Sequence, residues 1–143
     1  MIDREIIERK LRIIEDNLAL LTRLASLVDD EFDCDFRNMY TAIHLLQMCV
    51  EAMLDCVNHA ISHLRLGTPS DGREALLLMG KQGLMPDDHV RVYLTMNAFR
   101  NRVVHLYEDV SSDEVKHILR EGLNDFRTFI VDMRAVVALH GNF

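Results

Sequence analysis

The sequence predicts an all-α protein, an up-down bundle of four long helices and one short helix. Apolar residues recur at helical spacing through most of the chain, and no stretch alternates with period two for long enough to indicate a strand. Glycine- and proline-containing segments separate the helical stretches. The 143 residues, 49% of them hydrophobic, suffice to bury a core and match the size of one domain, so we expect a single domain over residues 1–143.

The first half of the chain is predicted to form two long helices. A strict 4-3 spacing of apolar residues with charges between them predicts an amphipathic helix, which the Asp-rich segment 29–36 should end and cap. The second helix is predicted from Arg37 to Leu66, and its apolar residues nearly encircle it, which is typical of a buried central helix. The apolar series are Ile7, Leu11, Ile14, Leu18, Leu21, Ala25 and Val28, then Ile43, Leu46, Val50, Met53, Val57, Ala60 and Leu64.

The second half holds the remaining helices. Residues 67–72 read as a loop, and a short helix is predicted from Arg73 to Met79. Pro86 and the two acids after it resemble a helix start, and this helix should run to Val104 or Tyr107. Ser111 and Glu114 suggest a capping box before the last helix. Four aromatic residues are predicted to be core residues rather than cofactor contacts: Tyr93, Phe99, Phe126 and Phe129.

Composition restricts the functional classes. The charged N-terminus has no signal-peptide core and no apolar run reaches the ~18 residues of a membrane span, so we expect a cytoplasmic protein. Three cysteines without metal-binding spacing predict neither a disulfide framework nor a zinc site. The net charge of −7 opposes nucleic-acid binding, but segments 29–35 and 108–114 hold nine of the 23 acids, and 13 of the 16 bases are arginine. A small phosphate site is therefore permitted.

A polar stripe crosses the otherwise apolar second helix. Its residues Gln47, Glu51, Asp55 and His59 follow one another at about one helical turn. The stripe is either structural, as a solvated face or through an Asp55–His59 pair worth a few tenths of a kcal/mol, or it lines a cleft that faces residues 100–107.

Polar chemistry is most concentrated between Arg100 and Tyr107. A neutral histidine can take the proton of a ribose 2′-OH while an arginine stabilises the charge that develops on phosphate, without a metal. Asn97, Asn101 and His105 would share one helix face, whereas Arg100 and His105 are about 140° apart on an ideal helix. Three arrangements remain open: the helix ends before His105, a cleft reaches both sides of it, or a symmetric dimer brings two copies together. Arginine and histidine at this spacing also recur by chance in purely structural helices.

The segment resembles a known family. Arg100, His105 and Tyr107 match the R-x4-H-x-Y signature of the HepT-like toxins of the HEPN superfamily, and the helix order fits from about residue 4 to 137. The resemblance implies a HEPN-like homodimeric bundle that cleaves RNA as a metal-independent endoribonuclease toxin, without a cofactor. Arg100 and His105 would be catalytic, with Asn101 and the stripe residues Glu51 and Asp55 in support.

The resemblance also implies a partner and a control mechanism. The partner would be a minimal nucleotidyltransferase antitoxin, which neutralises the toxin by adding AMP to Tyr107. Two other interpretations stay open from the sequence. The chain could be a non-catalytic nucleotide- or partner-binding module that works with a nucleotidyltransferase and anchors phosphate on Arg100, or a helical scaffold in which Arg100 and His105 are structural.

Overall fold

A computed structural model describes residues 1–105 and 109–141 of the chain. The prediction of an all-α bundle is confirmed, since the described residues form helices and no strand. A π-helical segment, Ile118–Gly122, joins the last two helices into one continuous run. The helices are α1 (Arg4–Ala25), α2 (Asp29–Asp33), α3 (Phe36–His63), α4 (Gly72–Lys81), α5 (Asp87–His105), α6 (Ser112–His117) and α7 (Leu123–His140).

The central position predicted for the second helix is confirmed. Helix α3 packs against each of the other six helices, because apolar residues on nearly all its sides can be buried against neighbours. All seven helices contribute to one hydrophobic core, which includes the four predicted aromatic residues. That residues 1–143 form one domain stays a prediction. None of the described helices combines the length and apolarity needed to cross a membrane.

Two details of the first half were predicted wrongly. Helix α1 ends at Ala25, and Val28 lies beyond it with 61% of its surface exposed. The Asp-rich segment does not only separate two helices, because it also forms the additional one-turn helix α2. Its acids lie at the helix N-terminus, where the macrodipole favours negative charge, and Phe32 turns into the core. Asp35 then caps α3 by accepting a hydrogen bond from the backbone N–H of Arg37, at 3.0 Å.

The start of the last helical run also differs from the prediction. The Ser111 hydroxyl accepts a hydrogen bond from the backbone N–H of Glu114 at 3.1 Å, as expected for a cap. The Glu114 carboxylate, however, accepts two hydrogen bonds from Arg102 of α5 instead of completing the capping box. The carboxylate therefore links α5 to α6, which is a tertiary contact rather than a local one.

A close approach of α4 to α5 positions the helix that carries the motif. Gly72 is the first residue of α4, and a Cβ atom there would lie 2.7 Å from Asn97 Oδ1 and 3.0 Å from the Leu54 side chain. Only glycine lets the two helices come this near without displacement. The start of α4 therefore packs directly against α5, one turn before Arg100.

Candidate functional site

The site is built where α5 crosses the middle of α3. An Arg100 guanidinium nitrogen donates a hydrogen bond to Glu51 Oε1 at 3.2 Å, and the Gln47 side-chain amide donates to the same oxygen at 3.0 Å. The other terminal nitrogen of Arg100 donates to Asn101 Oδ1 at 3.2 Å. These contacts orient the guanidinium from both helices, so the structure brings together three of the predicted site residues, Arg100, Asn101 and Glu51.

Electrostatics reinforce this arrangement. Donation from Gln47, together with the nearby Arg100 cation, lowers the pKa of Glu51, although partial burial works in the opposite direction. The carboxylate is therefore charged when it meets Arg100. The Arg100 side chain is 27% exposed, which leaves part of the guanidinium open to an incoming anion. Its Nε atom is buried and has no hydrogen-bond partner within the described residues.

His105 is the last described residue of α5, and it is exposed. The helix therefore does not end before His105, and the first of the three predicted arrangements is excluded. The proposed common face of Asn97, Asn101 and His105 passes from the core to solvent, because Asn97 is 4% exposed whereas the other two are exposed. A cleft that reaches both sides of α5 and a second subunit remain as ways to use Arg100 and His105 together.

The polar stripe of α3 divides into two parts. Gln47 and Glu51 face Arg100, whereas the Asp55 carboxylate lies 3.0 Å from Lys10 Nζ of α1. His59 Nε2 accepts a hydrogen bond from the backbone N–H of Asp3 at 3.0 Å. The predicted Asp55–His59 pair is therefore wrong, and Asp55 contacts α1 rather than Arg100. The stripe splits because its first two residues contact α5 or each other, whereas its last two contact α1 and the residue that caps it.

The remaining features to place are Tyr107, the cysteines and any group of side chains that could bind a metal ion. Tyr107, the predicted modification site, lies outside the described residues. Cys49 and Cys56 of α3 are buried, and burial raises the pKa of both thiols to about 12. In the described ranges, no group of three or more His, Cys, Asp or Glu side chains is placed to hold a metal ion.

One polar network on α5 was missed by the sequence analysis. Asp132 of α7 accepts hydrogen bonds from the Tyr93 hydroxyl at 2.5 Å and from His89 Nδ1 at 2.8 Å. Hydrogen bonding to Asp132 raises the pKa of His89, while burial and the same carboxylate raise that of Tyr93. The spacing of four residues between His89 and Tyr93 shows that they share a helix face, but nothing in the local sequence points to Asp132.

Comparisons with known proteins decide the family. The family described as ribonuclease HepT-like matches residues 14–133 of the chain. The chain belongs to this family. A HepT-like relative named mRNA nuclease HepT, from Shewanella oneidensis, is 31% identical over 105 residues, which cover 73% of this chain and 79% of the relative. Another, named tRNA nuclease HepT and from Aphanizomenon flos-aquae, is 25% identical over 129 residues, covering 90% and 88%.

Solved structures of HepT-like proteins agree with this assignment. A tri-AMPylated HEPN toxin from Shewanella oneidensis, in complex with its MNT antitoxin, superimposes with a TM-score of 0.85 at 28% identity. The match covers 92% of this chain and 98% of that one. The predicted family and the HEPN-like fold class are confirmed, and so is the prediction of an endoribonuclease from the family assignment.

Proposed function

We propose that this HepT-like protein is the toxin of a toxin–antitoxin pair and cleaves RNA in the cytoplasm with Arg100 and His105. The observation that carries the proposal is that Arg100 and His105 lie on α5 within the region that matches the ribonuclease HepT-like family, with the arginine oriented by Glu51 and Asn101. A guanidinium held on one side and open on the other is suited to a phosphate group, because it offers several N–H donors in a fixed plane.

The reaction follows from the two side chains. His105, as the neutral imidazole, accepts the proton of a ribose 2′-OH, and the resulting oxygen attacks the adjacent phosphorus. Arg100 stabilises the negative charge that develops on the phosphoryl oxygens. The bond to the 5′-oxygen breaks, and that oxygen takes up a proton, so the products are a 2′,3′-cyclic phosphate and a 5′-hydroxyl. Neither step requires a metal ion.

The active form is proposed to be a homodimer. Arg100 and His105 lie about 140° apart around α5, so one helix does not present both to the same small group. Large apolar side chains are exposed at the start of α3, where Phe36 is 73% and Tyr40 is 54% accessible, and they suit a subunit contact. In such a dimer, each cleavage site combines the arginine of one subunit with the histidine of the other.

The proposed antitoxin is a minimal nucleotidyltransferase that adds AMP to Tyr107. A relative of this chain is tri-AMPylated in complex with an MNT antitoxin, which supports both the partner and the modification. Each AMP would add negative charge two residues from His105 and repel the RNA backbone. Intact mass of the protein after incubation with such an enzyme and ATP should show AMP additions, which should be absent from the Tyr107→Phe variant.

The nuclease proposal is tested with purified protein and a labelled RNA in EDTA. We expect cleavage with 2′,3′-cyclic phosphate ends, and a loss of about 10²-fold or more for His105→Ala and Arg100→Gln. Matched controls are His140→Ala, at the end of α7, and Arg91→Gln, on the exposed side of α5, which should retain activity. Binding of ATP without any RNA cleavage would instead support a nucleotide-binding module.

The composite site is tested by mixing the two inactive variants after denaturation and refolding together. A heterodimer of one Arg100→Gln subunit and one His105→Ala subunit contains one site with both defects and one intact site. Each heterodimer should therefore have about half the activity of the unaltered dimer. If each site lies within one subunit, every site in the mixture carries a defect and activity stays absent.

A further inference from the structure

A cavity lies beside α5, and neither Arg100 nor Glu51 lines it. It has a volume of about 380 Å³ and is bounded by α3, α5 and the continuous run from α6 to α7. Its walls are mainly apolar and include Leu46, Val50, Met96, Phe99 and Phe126. A concave apolar pocket of about 300 Å³ or more is typical of small-molecule sites. None of these wall residues has a part in the proposed nuclease reaction.

Among the charged side chains that line this cavity, carboxylates outnumber the one guanidinium. Arg102 is already engaged, because both of its terminal nitrogens donate to the Glu114 carboxylate. Glu121 and Asp125 also line the cavity, and neither has an ion-pair partner among residues 1–105 and 109–141. His117 is the remaining titratable group there. Two carboxylates of the lining are therefore without a paired cation among the described residues.

The π-helical segment contributes directly to this edge. Ile118, Glu121 and Gly122 all belong to it and all line the cavity. Segments of this kind are rare inside helices and occur frequently at functional sites. The apolar wall and the free carboxylates thus meet at the irregular part of the last helical run.

We propose that this cavity binds a small organic cation. The apolar body of the ligand, an aromatic ring or a branched chain, would pack against Phe99, Phe126 and Val50, with an ammonium or guanidinium group directed to Glu121 and Asp125. Charge complementarity selects the cation, because an anion would meet two uncompensated carboxylates at the opening. Neither Arg100 nor His105 lines this site, so the cation-binding proposal can be tested independently of the nuclease proposal.

The test uses three probes that share one apolar body, a phenyl ring with four methylene groups: 4-phenylbutylamine, 4-phenylbutanol and 5-phenylpentanoate. Each is titrated into the full-length protein while the side-chain methyl resonances are followed by NMR. We expect the amine to shift the methyl signals of Leu46, Val50 and Ile118 and to bind at least about tenfold more tightly than the carboxylate. The alcohol should lie between them.

Variants test whether Glu121 and Asp125 cause the preference for the amine over the carboxylate. The double variant Glu121→Gln with Asp125→Asn should bind amine and carboxylate within about twofold of each other. Asp113→Asn, which removes an exposed carboxylate of α6 outside the cavity, should keep the tenfold preference. Thermal melting establishes that each variant is folded. Equal binding of amine and carboxylate by the unaltered protein, shifts confined to other methyl groups, or no shifts up to the solubility limit of the amine would overturn the proposal.

Discussion

Glu51 of α3 and Arg100 of α5 are joined by a hydrogen-bonded ion pair with an N–O distance of 3.2 Å. The carboxylate oxygen that meets Arg100 is the same one that accepts the Gln47 amide, so the central helix determines where the guanidinium lies. Because Arg100 is the proposed phosphate-binding group, we infer that Glu51 is a positioning residue of the nuclease.

Replacement of Glu51 by alanine should therefore reduce RNA cleavage without abolishing it. The pair is partly exposed, so its loss should correspond to about 1 kcal/mol of positioning free energy, or roughly fivefold in kcat/KM. Conservative Glu51→Gln should recover part of the activity, since its amide oxygen still accepts a hydrogen bond. Glu15→Ala removes a carboxylate of α1 that pairs with Arg134, and it serves as the control. A Glu51→Ala protein with unchanged kcat/KM would refute the positioning role.

The close contact of α4 with α5 makes Gly72 sensitive to substitution. A methyl group at this position would overlap Asn97 Oδ1 and press on Leu54, so Gly72→Ala should lower the free energy of unfolding by about 1 to 3 kcal/mol. Urea denaturation measures this change. In the double variant with Asn97→Ala, the additional cost of the methyl group should be smaller. Full additivity of the two substitutions would show that they do not meet.

The contact of His89 with Asp132 predicts a pH-dependent contribution to stability. The pKa of His89 is raised in the folded protein, so its stabilising effect is complete below its ordinary pKa of about 6.5 and is lost as pH rises through the higher folded value. The neighbouring Asp88 acts in the same direction.

We expect His89→Gln to lower the melting temperature more at about pH 5.5 than at about pH 8.5. The loss in free energy of unfolding should differ between the two pH values by roughly 0.5 kcal/mol, because the pair is partly exposed. His140→Gln at the end of α7 provides the comparison, a histidine replaced in the same way on another helix. A larger loss at the higher pH would reverse the sign and contradict the assignment.

Thiol reactivity should separate the three cysteines. Cys34 is exposed, whereas Cys49 and Cys56 are buried and have pKa values raised to about 12. Because the thiolate is the reactive form, a disulfide reagent such as DTNB should modify one thiol rapidly in the folded protein and all three after denaturation. Cys34→Ser should remove the rapid phase. Rapid reaction of two thiols in the native protein would show that one of the helical cysteines is accessible.

The sequence predicted the helices better than their ends. The 4-3 series from Ile7 to Leu21 is buried as expected, because this spacing alone places the side chains on one face. The same series continues to Val28, which is exposed, since spacing does not show where a helix stops. Helix α2 was missed because its stability comes from burying Phe32 and from pairing acids such as Asp33 with Lys116, about eighty positions away in the chain.

For the candidate site too, some features follow from the sequence and others only from the structure. By itself the sequence determined the all-α class and the HepT-like family, and it predicted Arg100, His105 and Tyr107 as site residues, because these inferences depend on residue type and local spacing. Only the tertiary structure decided that Glu51 meets Arg100 while Asp55, one turn further along α3, meets Lys10. The physical reason is that periodicity defines a helix face, whereas the partner of each residue on that face depends on which neighbouring helix covers it.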